Sequence, residues 1–346
     1  MRERDDSGAV DIDGSRGEGG GQILRTSLAL AALTGRPVRF RRIRAGRPRP
    51  GLARQHLACV QAAAAICDGD ARGAEVGAQT VDFTPGALRG GDWTFRIGTA
   101  GSCGLVLQTV LPALLAAPGP SRVTIVGGTH NGMAPPFDFL AEAFVPVLRR
   151  MGAAVTLTLT RHGFEPAGGG ELVCTIEPGP LRAIELVDAS PVRRLTARAL
   201  VAGGVPRDVA ARELATARRE LPGLAEDACA IEEVAADGGG NALVLAAARD
   251  DVTEVVTGFG RRGVRAEQVA ARAAAELRAY LDGGAPVGEH LADQLMLPMA
   301  LAQGRSRYRT ATLSRHATTN RDTIRLFLDV PIEARVDAAG ATIAIG

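Results

Sequence analysis

A recurring pattern of a glycine-rich turn followed by an apolar helix constrains this chain more than any other feature of its sequence. Four segments follow the pattern: GEGGGQILRTSLALAALTG, GTAGSCGLVLQTVLPALLAAPG, GGTHNGMAPPFDFLAEAFVPVLRRMG and VGEHLADQLMLPMALAQG. In the first segment Leu24, Leu28 and Ala31 have helical spacing, and Gly35 is placed to end the helix. A layout that returns four times predicts a chain built from repeated units.

The repeat is most specific around proline. Gln108 stands four residues before Pro112, and Gln294 stands four residues before Pro298, with leucines around both prolines. A proline inside a helix costs about 3 kcal/mol. Its return at the same place in two helices therefore indicates internal duplication.

Strand-like runs alternate with these helices and set the fold class. They occupy residues 37–43, 93–97, 122–126, 154–160 and 171–176. Alternating helices and strands, with strand pairs at the ends of the units, predict an α/β (α+β) fold in which helices cover each sheet.

Residues 182–282 lack the glycine-turn and proline-helix pattern, which resumes at Gly288. This region is predicted to form a small inserted α/β domain. Its expected helices span residues 193–202, 208–220 and 266–281, and its expected strands span residues 242–247 and 251–256. The large domain is then predicted to comprise residues 1–181 and 283–346, with the insertion at a surface loop.

The chain contains no lysine, because all 40 residues of its Lys+Arg count are arginine. This excludes a lysine-dependent phosphate loop, a lysine Schiff base and a lysyl-AMP intermediate. Any phosphate must be bound by arginine, histidine, backbone amides and a metal. The net charge of +2 is too small to indicate nucleic acid binding by bulk electrostatics.

Cysteine usage and the distribution of apolar residues predict a cytoplasmic protein. The 5 cysteines are scattered without a CxxC pair, which is typical of reduced thiols. The charged start, MRERDDSG, has no apolar segment behind it, so no signal peptide is predicted. No uninterrupted apolar run reaches about 18 residues, so no membrane span is predicted.

Arginines are concentrated in the segment IRAGRPRPGLARQH, residues 43–56. Proline and glycine keep its first half irregular, so Arg44, Arg47, Arg49 and Arg54 can converge from a loop. Guanidinium groups bind phosphate oxygens in a bidentate manner. The segment therefore indicates either a phosphate site or a solvated, arginine-rich surface.

The glycine loop before the first helix places Glu18 between glycines and Arg25 one turn into the helix. A carboxylate repels phosphate directly, but it can bind a divalent cation that phosphates also bind. A solvated loop carboxylate is the alternative. The two interpretations differ in whether activity depends on a metal.

His316 lies in the polar segment LSRHATTN, ahead of the apolar, strand-like run IRLFLDV. A histidine nitrogen is a competent nucleophile toward phosphorus, and without lysine it is the natural candidate for a covalent nucleotidyl intermediate. A hydrogen-bonded structural histidine is the alternative. The 5 histidines form neither an HxH nor an HExxH metal pair.

Six segments together resemble the motifs of the RNA 3′-terminal phosphate cyclase family. In family order they are DGSRGEGGGQILR, IRAGRPRPGLARQHL, GTAGSCGLVLQTVLPALL, GGTHNGMAPPFDF, RHGFEPAGGGE and GEHLADQLMLPMAL. The resemblance extends from Asp13 to Asp329, and six long motifs in order are far more specific than one glycine motif. It implies a large domain of repeated βαβαββ units with a small inserted α/β domain.

The resemblance also implies an ATP-dependent enzyme that converts an RNA 3′-terminal phosphate to a 2′,3′-cyclic phosphodiester. A histidine would attack the α-phosphate of ATP to give histidinyl-AMP, AMP would pass to the RNA 3′-phosphate, and the adjacent 2′-OH would displace AMP. The implied cofactors are ATP and a divalent metal (Mg²⁺ or Mn²⁺), and the implied partner is RNA with a 3′-phosphate end. The oligomeric state is left open, a homodimer included.

The resemblance assigns roles to matched positions of this chain. His316 is the implied nucleophile and Glu18 the implied metal ligand. The positions implied to line the adenylate pocket are Gln108, Pro135, Phe139, His290, Leu291, Ala292, Asp293 and Gln294. Those implied to bind the triphosphate or the RNA end are Arg25, Arg44, Arg47 and Gln55.

The sequence departs from the family at three of these regions. His290 stands where tyrosine is usual, His130 replaces a common aspartate, and Arg315 precedes the nucleophile at a position that is often smaller and uncharged. These departures leave rate, pH optimum and nucleotide preference open.

Three alternatives to the cyclase fit the sequence less well. A non-catalytic cyclase-like RNA-processing factor would lack the catalytic histidine, whereas His316 is present. An enolpyruvyl transferase relies on lysines that this chain does not have. An RNA-binding module would need a stacking platform, and 1 Trp and 2 Tyr are too few to build one.

Overall fold

Three βαβαββ units account for most of the chain. The computed structural model describes residues 8–346, and residues 1–7, most of the charged start, lie outside the described residues. Each unit forms a four-stranded sheet with its strands in the order first, second, fourth, third. In every unit the first two strands are parallel and the other pairs are antiparallel. The fold class predicted from the sequence is confirmed.

Unit one contains the glycine loop and the arginine-rich segment. Its elements are β1 (Val10–Asp13), α1 (Gln22–Thr34), β2 (Val38–Arg41), α2 (Arg54–Ile66), β3 (Asp70–Arg72) and β4 (Val81–Thr84). Helix α1 ends at Gly35, whose φ of 69° is the left-handed conformation that glycine adopts without a steric penalty. The predicted end of this helix is therefore confirmed.

Unit two has a helix with a π-helical centre in its second helical position. Its elements are β5 (Gly91–Arg96), α3 (Cys103–Leu114), β6 (Ser121–Gly127), α4 (Phe137–Phe139), a π-helical stretch (Leu140–Phe144), α5 (Val145–Arg150), β7 (Ala154–Arg161) and β8 (Gly170–Glu177). π-Helical turns inside helices are frequent at functional sites.

Unit three is interrupted after its first strand, β9 (Glu185–Leu186). The chain first forms β10 (Arg194–Ala202), α6 (Arg207–Glu220), β11 (Cys229–Glu233), β12 (Gly240–Ala248), β13 (Thr253–Phe259) and α7 (Ala266–Asp282), with a 3₁₀ turn at Glu226–Ala228. It then completes the unit with α8 (Glu289–Ala300), β14 (Ser306–Thr310), α9 (Arg315–Ile324), β15 (Ile332–Asp337) and β16 (Gly340–Ile345).

The four glycine-turn segments occupy related places in these units. The first, second and fourth supply α1, α3 and α8, which are the first helices of the three units. Helices α3 and α8 each contain 12 residues, with Pro112 and Pro298 at the same place. The third segment instead forms the second helical position of unit two. The predicted repeat thus recurs both between units and within one.

Two secondary-structure predictions were wrong. Residues 193–202, predicted as a helix, form strand β10, which lies between β11 and β12. Ala197 and Ala199 face one hydrophobic cluster while Leu200 and Ala202 face another, so burial on both faces hides the alternation typical of a strand. The run IRLFLDV is not a strand either, because Ile324 ends α9 and turns follow it.

The inserted region has a hydrophobic cluster of its own. This cluster joins α6 and α7 to one face of the sheet β11-β10-β12-β13, and its members fall between Val192 and Leu281. The larger cluster runs through all three units and includes residues from the opposite face of the inserted sheet. The domain boundaries at residues 181/182 and 282/283 stay a prediction.

The location of the protein also stays a prediction. The 5 cysteines, all within the described residues, are free, and four of them are buried. Within residues 8–346, no helix has both the length and the apolar character needed to cross a membrane.

A buried carboxyl group joins the inserted region to unit three. Glu254, on β13, is 4% exposed, and its Oε2 has no hydrogen-bond partner in the described part of the chain. A Cβ atom at Gly288, the residue before α8, would lie 2.3 Å from this carboxyl group, so only glycine fits there. Burial, reinforced by the charge of Glu276, raises the pKa of Glu254 to about 8, although the Gly288 N–H opposes the shift.

We expect Glu254→Gln to remove a pH dependence of stability. The folded pKa of about 8 lies above the ordinary value of 4.5, so the folded state keeps a proton that the unfolded state releases. The contribution of Glu254 is therefore greatest at low pH and is lost as pH rises between these values, at about 1.4 kcal/mol per pH unit. Urea unfolding at pH 5 and pH 8.5 should show a smaller difference for Glu254→Gln than for the wild type. An unchanged difference would contradict the prediction, and exposed Glu75→Gln is the control.

Candidate active site

A cavity of about 690 Å³ lies where the three units meet the inserted region. Unit one lines it with the glycine loop, α1 and the start of α2; unit two with α3 and the residues before the π-helical stretch; unit three with α8 and the start of α9. Strand β13 and helix α7 of the inserted region complete the wall. All of the predicted site residues line this cavity except Leu291 and Ala292.

The glycines of the loop at residues 14–21 are required by close contacts. Gly17 and Gly19 have φ values of 60° and 64°. A Cβ atom at Gly20 would lie 2.4 Å from the Glu18 carboxylate, and one at Gly21 would lie 2.3 Å from His56 Nε2. The loop can therefore bring backbone, carboxylate and imidazole into one small space only because these side chains are absent.

Contacts with α9 hold the glycine loop beside His316. The Glu18 N–H donates to Thr319 Oγ1 at 3.2 Å, and Arg315 donates to the Gly17 carbonyl at 2.8 Å. Arg315, which departs from the family pattern, thus contacts the loop that precedes α1. Unit one and unit three are joined directly at the site.

Glu18 is an enclosed carboxylate in an ion pair. Its side chain is 9% exposed, and Oε2 lies 2.7 Å from Arg47 Nη2. No group of three or more His, Cys, Asp or Glu side chains within residues 8–346 is arranged to hold a metal. A single carboxylate suits a Mg²⁺-like ion that takes its other ligands from water and substrate phosphates. The predicted metal role of Glu18 thus fits only a site completed by a phosphate ligand.

Positive charge dominates the part of the cavity beside Glu18. The Arg25 guanidinium is enclosed by protein although the residue as a whole is only partly buried; burial lowers its pKa, and nearby Glu18 and Asp293 favour its charge. Burial and the charges of Arg25, Arg44 and Arg47 lower the pKa of His56 to about 3. His56 is therefore neutral at physiological pH, and the arginines supply the cationic character suited to phosphate.

Backbone contacts position two further phosphate-site candidates. Arg44, with a φ of 53°, donates from Nη1 to the Gly51 carbonyl at 2.8 Å. Gln55 accepts a hydrogen bond from the Ser102 N–H at 2.8 Å, which connects α2 to the start of α3. The irregular arginine-rich segment is thus a shaped wall of the cavity.

His316 is the second residue of α9, where Ser314 caps the helix by accepting from the Ala317 N–H at 3.0 Å. Its Nδ1 lies 2.9 Å from Oε1 of Gln22, the first residue of α1. Gln22 Nε2 in turn donates to Asp293 Oδ2 on α8 at 2.6 Å. These contacts leave Nε2 as the ring nitrogen that is not engaged by Gln22.

The predicted adenylate residues fall on one face of α8 and on unit two. His290, Asp293 and Gln294 line the cavity, as their helical spacing requires. Leu291 and Ala292 lie on the opposite side of α8 and are buried in the core, at 0% and 1% exposure. The structure therefore does not bring these two predicted residues to the cavity wall.

Unit two provides the facing wall. Gln108, Pro135 and Phe139 line the cavity. Gln108 donates to Gln294 across it, so the amides at equivalent places of two repeats contact each other. His290 is more exposed, with its Nε2 3.6 Å from Glu276 Oε1.

His130, at the position where the resemblance implies an aspartate, does not line the cavity. It is buried, with Nε2 2.8 Å from Asp138 Oδ2, and its ring stacks on His162 at 5.1 Å. Although burial opposes the shift, His130 and Arg198 lower the pKa of Asp138 to about 2. This ionic cluster lies next to Phe139 and connects it to the inserted region.

Several cavity residues were missed by sequence reasoning. Gln22 and His56 were visible inside quoted motifs but had no assigned role, and Asn320 lies in the same helix as His316. Phe259 and Glu276 come from the inserted region, whose part in the cavity had no local sequence signal.

The model of the family described as RNA 3′-terminal phosphate cyclase matches residues 16–334 of this chain. The chain belongs to the RNA 3′-terminal phosphate cyclase family. It is 51% identical over 339 residues to the RNA 3′-terminal phosphate cyclase of Ralstonia nicotianae, covering 97% of this chain and 96% of the relative. The relative of the same name in Ectopseudomonas mendocina is 51% identical over 323 residues, covering 93% and 94%.

The prediction of an enzyme of the cyclase family is confirmed by these matches. Among solved structures, the enolpyruvyl transferase NikO from Streptomyces tendae aligns at 15% identity over 98% of this chain and 81% of its own, with a TM-score of 0.26. That score is too low to support an argument. The roles of individual site residues in this cyclase stay predictions.

Proposed function

We propose that this cyclase uses ATP to convert an RNA 3′-terminal phosphate to a 2′,3′-cyclic phosphodiester through a covalent histidinyl-AMP on His316. The observation that carries the proposal is that His316 lines the same cavity as Glu18 and Arg25, Arg44 and Arg47. A nucleophile beside converging phosphate-binding groups is the arrangement that phosphoryl transfer requires. The family match supports the reaction class.

In the first step His316 Nε2 forms a bond to the α-phosphorus of ATP as the bond to the bridging oxygen breaks, and pyrophosphate leaves. Arg25 is enclosed in the cavity, while Arg44 and Arg47 reach it from the arginine-rich segment. Their charges offset the negative charge that develops on the transferring group. Glu18 would hold a divalent metal, Mg²⁺ or Mn²⁺, which would supply further charge neutralisation when bound.

In the second step an oxygen of the RNA 3′-phosphate attacks the α-phosphorus, the P–N bond breaks and neutral His316 is regenerated. In the third step the terminal 2′-OH attacks the 3′-phosphorus, its proton passes to solvent, and AMP leaves. Adenylation makes the third step feasible because AMP is a far better leaving group than oxide. We assign the binding of the adenylate to the cavity-lining residues Gln108, Pro135, Phe139, His290, Asp293 and Gln294.

The proposal predicts a distinctive result with two RNA substrates. Incubation with ATP and Mg²⁺ or Mn²⁺ should convert a 5′-labelled RNA 3′-phosphate to a phosphatase-resistant cyclic end. The same RNA with a 2′-deoxy terminal nucleotide should stop at the RNA-adenylate, because the nucleophile of the third step is absent. Gel electrophoresis separates the species. Cyclisation without ATP, or no reaction of either RNA, would overturn the proposal.

A further inference from the structure

A side-chain amide links the candidate nucleophile to a carboxyl group across three helices. Gln22 is 8% exposed, its Oε1 lies 2.9 Å from His316 Nδ1, and its Nε2 donates to Asp293 Oδ2 at 2.6 Å. Asn320 reinforces the arrangement: its Oδ1 accepts from Thr26 Oγ1 at 2.8 Å, and its Nδ2 donates to the Asp293 carbonyl at 2.7 Å. Helices α1, α8 and α9 are thereby tied together at this point.

The chemistry of these groups fixes the direction of each hydrogen bond. An ionised carboxylate only accepts, so it turns the NH₂ group of Gln22 toward Asp293. The carbonyl of the same amide then faces His316 Nδ1, which must carry the ring proton. In that tautomer Nε2, the ring nitrogen that Gln22 does not contact, has a free lone pair.

We propose that Gln22 is the positioning residue of the nucleophile, holding His316 as the Nδ1–H tautomer, and that ionised Asp293 sets the orientation of the Gln22 amide. This inference rests on the proposed function, in which His316 Nε2 attacks ATP. An amide cannot accept the ring proton as a carboxylate can. Gln22 therefore orients the imidazole and stabilises the Nδ1–H while the P–N bond forms, and it takes no part in proton transfer.

The surroundings of Asp293 make this arrangement sensitive to pH. As a residue it is only partly buried, but its carboxyl group is enclosed. This desolvation raises its pKa to about 7; Arg25 on α1 and the Gln22 hydrogen bond oppose the rise, Glu289 on its own helix adds to it, and Tyr308 on β14 packs nearby. A protonated Asp293 becomes a donor, so the amide can reverse and stabilise the unreactive Nε2–H tautomer.

Single-turnover adenylation with saturating α-labelled ATP tests the role. We expect Gln22→Ala to lower the rate by about 10²-fold or more, the scale on which a lost orienting group affects a catalytic imidazole, with little change in ATP KM. Gln22→Glu places two carboxylates together and should be equally slow. The double variant Gln22→Glu, Asp293→Asn restores one acceptor and one donor. Its adenylation rate should be at least tenfold higher than that of either single variant. Gln268→Ala, exposed on α7, is the matched control.

Nitrogen-15 NMR of protein labelled at histidine reports the tautomer of the His316 ring independently of enzyme activity. The His316 ring, assigned by its loss in His316→Ala, should show protonated Nδ1 and free Nε2 above pH 7, and should lose this preference in Gln22→Ala. If the wild-type protein acquired no covalent label from α-labelled ATP, the proposed function alone would be overturned. A wild-type Nε2–H tautomer, or a folded Gln22→Ala protein with wild-type adenylation, would overturn the inference.

Discussion

Replacing His316 with alanine is expected to abolish covalent labelling of the protein by α-labelled ATP, with a loss of at least about 10⁴-fold in adenylation rate, because removal of a covalent nucleophile removes the reaction path itself. His316 is an exposed residue at the start of α9, and its ring nitrogen Nδ1 contacts Gln22. The substitution should therefore leave the fold intact, and circular dichroism checks this. His162→Gln, which lies outside the cavity, controls for a change in histidine content.

A second substrate separates the nucleophile from the rest of the site. RNA that already carries the 3′-adenylate enters after the covalent step, so His316→Ala should still cyclise it. Equal labelling of the wild type and His316→Ala would show that the nucleophile lies elsewhere. Failure of the variant on pre-adenylated RNA would show that His316 has an additional role in the third step.

The repeat architecture could be predicted from sequence because its signals are local. Gly35 ends α1 by adopting a left-handed conformation that few other residues tolerate. The matched prolines of α3 and α8 recur because both helices come from the same place in a unit. Patterns of this kind are complete within about twenty residues and need no knowledge of the rest of the fold.

Predictions failed where the deciding contacts are distant in sequence. The alanines and arginines of strand β10 are typical of a helix. The segment forms a strand because it pairs with β11 on one side and β12 on the other. The pair Gln22 and His316 is separated by 294 positions, so no local spacing connects them. The part of Phe259 and Glu276 in the cavity depends in the same way on how the inserted region packs, with Phe259 beside Gly132 of unit two and Glu276 beside His290 of unit three.

The glycine loop resembles a phosphate cradle in sequence but differs from one in its contacts. In a lysine-dependent phosphate loop the backbone amides face the phosphate directly. Here Gly20 and Gly21 make room for Glu18, Arg47, Arg25 and His56, as the close contacts of their missing side chains show. The loop is therefore better suited to presenting charged side chains than to binding phosphate by itself.

Glu18→Gln is expected to raise the metal concentration needed for half-maximal adenylation by at least about tenfold, because a neutral amide is a much poorer ligand for Mg²⁺ or Mn²⁺ than a carboxylate. The amide keeps the size of the side chain, so the close approach to Gly20 is preserved. Titration of adenylation with each metal at saturating ATP measures the change. Unfolding by urea checks that stability is retained.

The ion pair with Arg47 offers an alternative role for Glu18, and one variant separates the two. If Glu18 only positions Arg47, then Arg47→Gln should change the metal titration as Glu18→Gln does, since the two side chains act as one unit 2.7 Å apart. If Glu18 is a metal ligand, Arg47→Gln should lower the rate at every metal concentration and leave the midpoint near that of the wild type. We expect the second result. Full adenylation by Glu18→Gln at the wild-type midpoint would instead make Glu18 a structural carboxylate of the loop.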